Sequence, residues 1–337
     1  MKSKSLGEFE LIAKLQSKLK YRSTQILKNI GDDCSVFKPS NGVKLISTCD
    51  ALVENIHFDL KNISPILLGQ KSMAVNLSDI AAMGGSPKFA LVTLGISPSI
   101  SFKFLQKFYS GINKACEKYN FSISGGDTVR SPKHFFINVA MIGETRQNLW
   151  FSRDGAKKGD KIFVTGFIGD SALGLKILQS KNKLKVSTKA KKYFISRHQS
   201  PTPRLEESRF LIQFNAQVSA AIDVSDGLVQ DLGHILKTSG VGAKIYESSI
   251  PTSSELKKFC KINNVNKRPL IFSGGEDYEL LFTLRPENAK KIVRQFFKRG
   301  MCLTEIGEIT SRVGEILLKT ENNKIEDASR FKGYGHF

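Results

Sequence analysis

The sequence predicts an α/β (α+β) chain in two units, on three observations. Short apolar runs alternate with helix-spaced apolar patterns, 337 residues is about two domains' worth of chain, and the apolar rhythm breaks once near the middle. In chain order, VKLISTC (43–49) reads as a first strand, and the apolar spacing over 69–84 as a helix ended by Gly84-Gly85 with Pro87 beyond. KFALVTLGI (88–96) is a strand, 101–118 a helix, and FSIS (121–124) and FFINVAMIG (135–143) are strands. Between Gly143 and Gly159, ETRQNLWFSRDGAKKGD replaces apolar residues with charge and glycine, which marks a boundary. Beyond it, strand runs KIFVTG (161–166), QVSAAIDV (217–224) and YELLFTL (278–284) are interleaved with helical patterns over 169–179, 204–214, 227–239 and 286–298. The two sides are similar in size and share no residue-level repeat.

Composition narrows the function. With 51 Lys and Arg against 31 acids, the net charge is +20, which suits an anionic partner. Most of the excess is scattered. The one dense run, Lys176 to Arg204, holds nine cations and no acid, but its only aromatics are Tyr193 and Phe194, so a solvated surface is expected and nucleic acid is not. The five cysteines, Cys34, Cys49, Cys116, Cys260 and Cys302, include no CxxC pair, which argues against a disulfide framework or a zinc knuckle and for a reducing, cytoplasmic setting. Near the start, Lys2 and Lys4 give way to Glu8 and Glu10 in an amphipathic pattern, and no apolar run approaches a membrane span.

The acids are less scattered than the bases. Twelve of the 31 fall in GDD (31–33), CDALVE (49–54), NLSD (76–79), GGD (125–127), DVSD with Asp231, and GGEDYE (274–279), mostly at the edge of an apolar run. In AIDVSDGLVQDLGHIL, Asp223 sits among apolar residues, where a carboxylate loses several kcal/mol of hydration unless a cation or donors compensate. Asp226 is placed to cap the helix that follows. On the helix over 69–84, Met73, Leu77, Ile80 and Ala81 form the core stripe, while Asn76 and Asp79, three apart, can point to one spot. Each glycine-acid motif alone makes an ordinary turn. Together they suggest converging carboxylates, which repel by ~4 kcal/mol per close pair near a protein surface. Oxygen-only ligands without a Cys or His cluster favour Mg²⁺. Neither a GxxxxGK[ST] loop nor kinase HRD and DFG motifs occur, yet metal-bridged phosphoryl transfer needs neither.

The motifs GDDCSVF, TCDALVENIHF, AVNLSDIAAMGGSP, GGDTVR, TGFIGDSALGL, HQSPTPR, AIDVSDGLVQDLGHIL, SGGEDYELLFT and KGYGHF stand in an order that resembles the thiamine-monophosphate kinase family, over nearly the whole chain. The resemblance implies a two-domain fold shared with aminoimidazole ribonucleotide synthetase, divided here as 1–148 (ATP, Mg²⁺ and dimerisation) and 149–337 (with a substrate-contacting tail). It also implies a homodimer formed through the N-terminal sheet, with ATP and thiamine monophosphate as substrates and neither a nucleic-acid nor a membrane partner. Asp33, Asp50, Asp79, Asp127, Asp223 and Asp226 match its metal ligands, with Thr48 and Cys49 supporting the metal beside Asp50. Relatives usually carry a hydroxyl where Cys49 stands, and a thiol is a poor Mg²⁺ ligand, which leaves its backbone carbonyl. Tyr109, Gly126, Asp127, Arg153 and Ser225 match ATP contacts, and His57, Glu276 and Tyr334 match substrate contacts. The expected reaction is direct, in-line and Mg²⁺-assisted, with no covalent residue.

Overall fold

The computed structural model describes residues 26–28, 34–38, 44–145, 149–180 and 184–335. Lys181, Lys183 and the GDD stretch with Asp33 lie outside them.

The first half forms a six-stranded sheet of β1 (Ile26–Lys28), β2 (Ser35–Phe37), β3 (Lys44–Val53), β4 (Ser86–Ile96), β5 (Ser122–Arg130) and β6 (Phe136–Thr145), ordered β1-β2-β3-β6-β4-β5. β3 and β6 pair antiparallel along their whole length, from Lys44↔Thr145 to Val53↔Phe136. β5 runs parallel to β4 at the sheet edge, and the crossover between them is α2 (Phe102–Tyr119). GGD therefore lies inside a strand and not in a turn.

α1 (Pro65–Ala82) packs against α2 and starts before its periodic pattern, because Ser64 accepts the Leu67 amide and Pro65 suits the first helical position. Thirteen of its 18 residues are buried, so it is an interior helix and not a half-exposed one. Gly69 faces the Phe108 carbonyl of α2 and Gly111 faces the Ile66 carbonyl of α1, so the two helices cross with their backbones almost touching.

The second half holds a seven-stranded sheet, ordered β13-β12-β9-β11-β7-β10-β8. Its strands are β7 (Lys161–Thr165), β8 (Val218–Asp223), β9 (Gly242–Tyr246), β10 (Leu280–Leu284), β11 (Leu303–Thr310), β12 (Ile316–Lys319) and β13 (Ile325–Asp327). Its helices are α3 (Asp170–Gln179), α4 (Thr188–Gln199), α5 (Leu205–Leu211), α6 (Leu228–Ser239), α7 (Ser254–Asn263) and α8 (Pro286–Lys298). The largest apolar cluster is continuous between the two sheets, joining Met73, Leu77 and Ile80 to Phe163, Phe210, Phe282 and Phe296. Polar contacts follow the same path: Ser208 donates to the Ala81 carbonyl (2.6 Å) and Ser78 to Asp223 (2.7 Å).

The described lysines of the basic run, Lys176, Lys185, Lys189, Lys191 and Lys192, are exposed as expected, but the run as a whole is not a plain solvated surface. It contains α4, capped by Ser187 and buried through Phe194, His198 and Gln199. Two of its cations, Arg197 and Arg204, turn inward to Glu279.

The glycine crossing yields a test. Gly111→Ala places a methyl group against backbone that cannot rotate away, and should cost ~1–3 kcal/mol of overpacking, read as a lower urea midpoint with an unchanged slope.

Candidate active site

One cavity of about 900 Å³ opens between the two halves. β3 supplies Thr48, Cys49 and Asp50 to its wall, and α1 supplies Lys71, Val75 and Asp79. The turn after β8 supplies Ser225 and Asp226 beside Asp223, and the 273–278 loop and Tyr334 close the remaining side.

The acids converge there because each ends an element aimed at the same space. Asp223 is the last residue of β8, 2% exposed, and accepts the Ser78 hydroxyl. Asp79 lies in the last turn of α1 and accepts the Thr48 hydroxyl. Buried Tyr278 registers the crowding: its phenol is pushed well above its ordinary pKa, by burial first and then by the charges of Glu276, Asp50, Asp223 and Asp79. Asp231 is likewise raised, by burial and then by Asp226 and Asp223.

Two local expectations are corrected. The N-cap of α6 is Gly227, at φ 138°, not Asp226. Asp231 reaches back to accept the amides of Asp226 (3.1 Å) and Gly227 (3.0 Å), which leaves the Asp226 side chain facing the cavity. Asn76 does not join Asp79; it is fully buried, with its amide turned back to the Ser72 carbonyl.

At the other end of the cavity, Glu276 is held by two cationic or proton-donating groups. Lys71, 1% exposed, lies 3.0 Å from Oε1 and 3.1 Å from Oε2, and His198 Nδ1 is 2.9 Å from Oε2. Burial favours the neutral acid, but Lys71 and His198 outweigh it and hold the carboxyl down to about 2. Lys71 is the one cation of α1, whose other charge is Asp79, and nothing in its spacing ties it to the distant Glu276. His57 Nδ1 accepts the Val53 amide at 3.0 Å, so the proton of the neutral ring resides on Nε2 and makes it a donor. Cys49 contributes no thiol to the acids, since its Sγ donates to Asn138 Oδ1 at 3.2 Å.

Of the residues singled out from the sequence, Thr48, Cys49, Asp50, His57, Asp79, Arg153, Asp223, Ser225, Asp226, Glu276 and Tyr334 line this one cavity. Gly126 and Asp127 do not; they lie exposed on the edge strand β5, where Gly126 has φ 151° and no room for a Cβ beside the Val92 carbonyl. Tyr109 is 43% exposed on α2, packed edge-on to Phe108.

Residues 31–145 match the family described as AIR synthase related protein, N-terminal domain, and residues 157–319 match its C-terminal domain. Thiamine-monophosphate kinase of Buchnera aphidicola subsp. Schizaphis graminum is 40% identical over 98% of this chain and 99% of its own. That of Bacillus subtilis is 35% identical over 98% and 100%. Among solved structures, AaThiL complexed with AMPPCP and TMP is 34% identical with a TM-score of 0.84, covering 100% of this chain and 99% of that one. The hydrogenase maturation protein HypE in complex with ATP shares the fold, at 19% identity and a TM-score of 0.67 over 85% of this chain and 84% of that one.

The Glu276 cluster predicts a pH signature. A carboxylate whose folded pKa is depressed contributes stability that is present above its unfolded value, near 4.5, and lost as pH falls toward about 2. Glu276→Gln should therefore be less stable than wild type at pH 7, by up to about 3 kcal/mol, and the gap should close between those two values in urea melts.

Proposed function

The chain belongs to the thiamine-monophosphate kinase family, and from that premise we propose how its cavity performs the family's reaction, ATP-dependent phosphorylation of thiamine monophosphate to thiamine diphosphate. The observation that carries the reading is the convergence of Asp50, Asp79, Asp223 and Asp226, from three distant stretches, on a cavity that also holds His57, Glu276 and Tyr334.

A carboxylate and hydroxyl donor set suits Mg²⁺, and mutual repulsion of the acids calls for a cation. Asp50, Asp79, Asp223 and Asp226 would hold it, with Thr48 alongside, the Cys49 carbonyl as its only available donor, and Asp33 from outside the described residues. When bound, Mg²⁺ neutralises charge on the nucleotide phosphates and on the transferring group. Ser225 and Arg153 orient the nucleotide. His57 Nε2–H is a donor for a substrate oxygen, and Glu276, kept ionised by Lys71 and His198, together with the Tyr334 ring, recognises the cationic heteroaromatic end. The substrate phosphate is already nucleophilic at neutral pH, so no side chain need remove a proton.

We propose a homodimer, which gives the residues outside the cavity a role. The register Leu91↔Gly125, Thr93↔Asp127 and Gly95↔Val129 puts Asp127 on the sheet face where Leu91 is 41% and Val129 48% exposed. β5 lies three strand positions from β3, ~14 Å in the sheet, too far for one chain's Asp127 to join its own Asp50. We read this apolar face as covered by a second copy, with Gly126, Asp127 and Tyr109 serving the partner's nucleotide. The residues 1–148 then carry nucleotide, metal and dimerisation, and 149–337 complete the site with the tail. Five free cysteines suit a reducing, cytoplasmic setting. No helix among the described residues is long and apolar enough to cross a membrane.

ATP turnover measured against thiamine, thiamine monophosphate and aminoimidazole precursors should proceed with the monophosphate alone; turnover with an aminoimidazole ribonucleotide precursor would move the assignment within the superfamily. Asp223→Asn and Asp127→Asn should each lower kcat by roughly a hundredfold or more while leaving the metal-free melting temperature no lower. Mixing the two variants as subunits tests the shared site. A mixed dimer keeps one intact site and should regain about half the wild-type rate, whereas sites built within one chain would leave the mixture inert.

A further inference from the structure

The C-terminal segment is fastened at two points. Phe331 packs against Phe272 with ring centroids 4.8 Å apart, anchoring the segment's root in the second core. Lys332 then lies exposed, and the chain is caught again at Gly333 and Tyr334.

The second catch is one side chain. Gln230, in the first turn of α6, accepts the Gly333 amide on Oε1 (3.1 Å). Its Nε2 donates both to the Tyr334 carbonyl (3.0 Å) and to the Asp226 carboxylate Oδ2 (3.1 Å). The Tyr334 amide adds a bond to the Asp226 carbonyl at 3.0 Å. An added Cβ at Gly333 would come within 2.5 Å of that same carbonyl oxygen and 2.9 Å of Gln230 Oε1, so the segment lies as close as backbone can. A carboxamide is required here by its donor pattern. Tyr334 O and Asp226 Oδ2 both accept, Gly333 N–H donates, and Gln supplies two N–H bonds and one oxygen in that arrangement. Glu at this position has the length but presents only acceptors.

We infer that Gln230 is a positioning residue that clamps the C-terminal segment to Asp226, fixing Tyr334 at one distance from the acid cluster. The inference rests on the reading of Tyr334 as a substrate contact and of Asp226 as a cation ligand. Through the clamp, the group that meets the substrate ring and the group that holds the cation move together.

Two variants approach the clamp from opposite sides. Gln230→Met keeps side-chain length, helix propensity and neutrality but loses all three side-chain bonds, and Gly333→Ala lifts the segment from the other face. Carboxypeptidase Y digestion of the intact protein, followed by mass, should show Tyr334 released roughly tenfold faster in both variants, the scale of one or two lost amide hydrogen bonds. In the same variants KM for thiamine monophosphate should rise roughly tenfold, KM for ATP should stay within about twofold, and the melting temperature should hold. Unchanged digestion in both variants would overturn the clamp. A freed segment with unchanged KM for thiamine monophosphate would overturn the positioning role, provided Tyr334→Ala still raises that KM. If Tyr334→Ala leaves it unchanged too, the substrate reading of the tail fails and the inference falls with it.

Discussion

Glu279 has no exposed surface, and its carboxylate is held by Arg204 at 2.5 and 2.6 Å, by Arg197 at 2.9 Å and by the Thr165 hydroxyl at 2.7 Å. It is one of three acids within four residues, Asp277 and Glu279 fully buried and Glu276 on the cavity wall, and the arrangement of the second half follows from the need to satisfy each. Asp277 accepts the Gly169 and Ser171 amides at the start of α3. Glu276 takes Lys71 from α1 and His198 from α4. Burial pushes Asp277 up to about 7 against Arg197 and those amides, while at Glu279 the two guanidinium groups overcome burial and hold the carboxyl below its usual range. Removing one partner of such a group strands a buried charge, a loss of ~3–5 kcal/mol. The stretch also holds Glu276 at φ 62° and Tyr278 at φ 51°, conformations costing ~1–3 kcal/mol each, which persist because Glu276 and Tyr278 donate to the Ser225 and Val224 carbonyls. Those bonds lock the loop to the turn that carries Asp223 and Asp226.

The same constraint gives the net charge of +20 a meaning that composition alone did not. Several of the motif acids, Asp223, Asp231, Asp277 and Glu279, are turned inward, and most Lys residues remain at the surface. An acid-lined cavity inside a cationic body attracts polyanions over long range and receives them, with their cations, at short range. ATP and a phosphate monoester are ligands of that kind.

The elements that sequence made legible are those with strong periodicity: the strands β3 to β8 and β10, and the helices α1, α2, α3, α5, α6 and α8. α4 and α7 were hidden because their exposed faces are mostly lysine and their buried faces only two or three residues wide, Phe194 with His198 and Leu256 with Phe259. β9, β12 and β13 have five, four and three residues, too short for alternation to stand out. In the site, Asp50, Asp79, Asp223 and Asp226 were legible as acids beside apolar runs, a pattern that desolvation makes improbable without compensation. Asp127 carried the same signal and lies elsewhere, because sequence pattern does not report strand order: β6 and β4 intervene between β3 and β5. Lys71, His198 and Gln230 carry no signal of their own strength, since each acts only through a partner more than 75 residues away or, for Gln230, through a tail 103 and 104 residues on.

α1 sets the scale of the site. Lys71, Val75 and Asp79 recur every four residues, so they lie along one face, and all three line the cavity. Eight residues of helix span ~12 Å. At one end of that face Lys71 fixes the Glu276 carboxylate, at the other Asp79 joins the acids, and Val75 leaves an apolar stretch between. On the proposed reading, a ligand that is charged at its phosphate, apolar in its middle and cationic in its ring would meet a complementary group at each step. Because α1 is buried and crosses α2 with backbone against backbone, the spacing is rigid, and a substrate of different length cannot be accommodated by sliding one end of the cavity against the other. Adaptation must then come from the elements outside α1, and among the described residues the C-terminal segment, tied to Asp226 by Gln230, is joined directly to the acids.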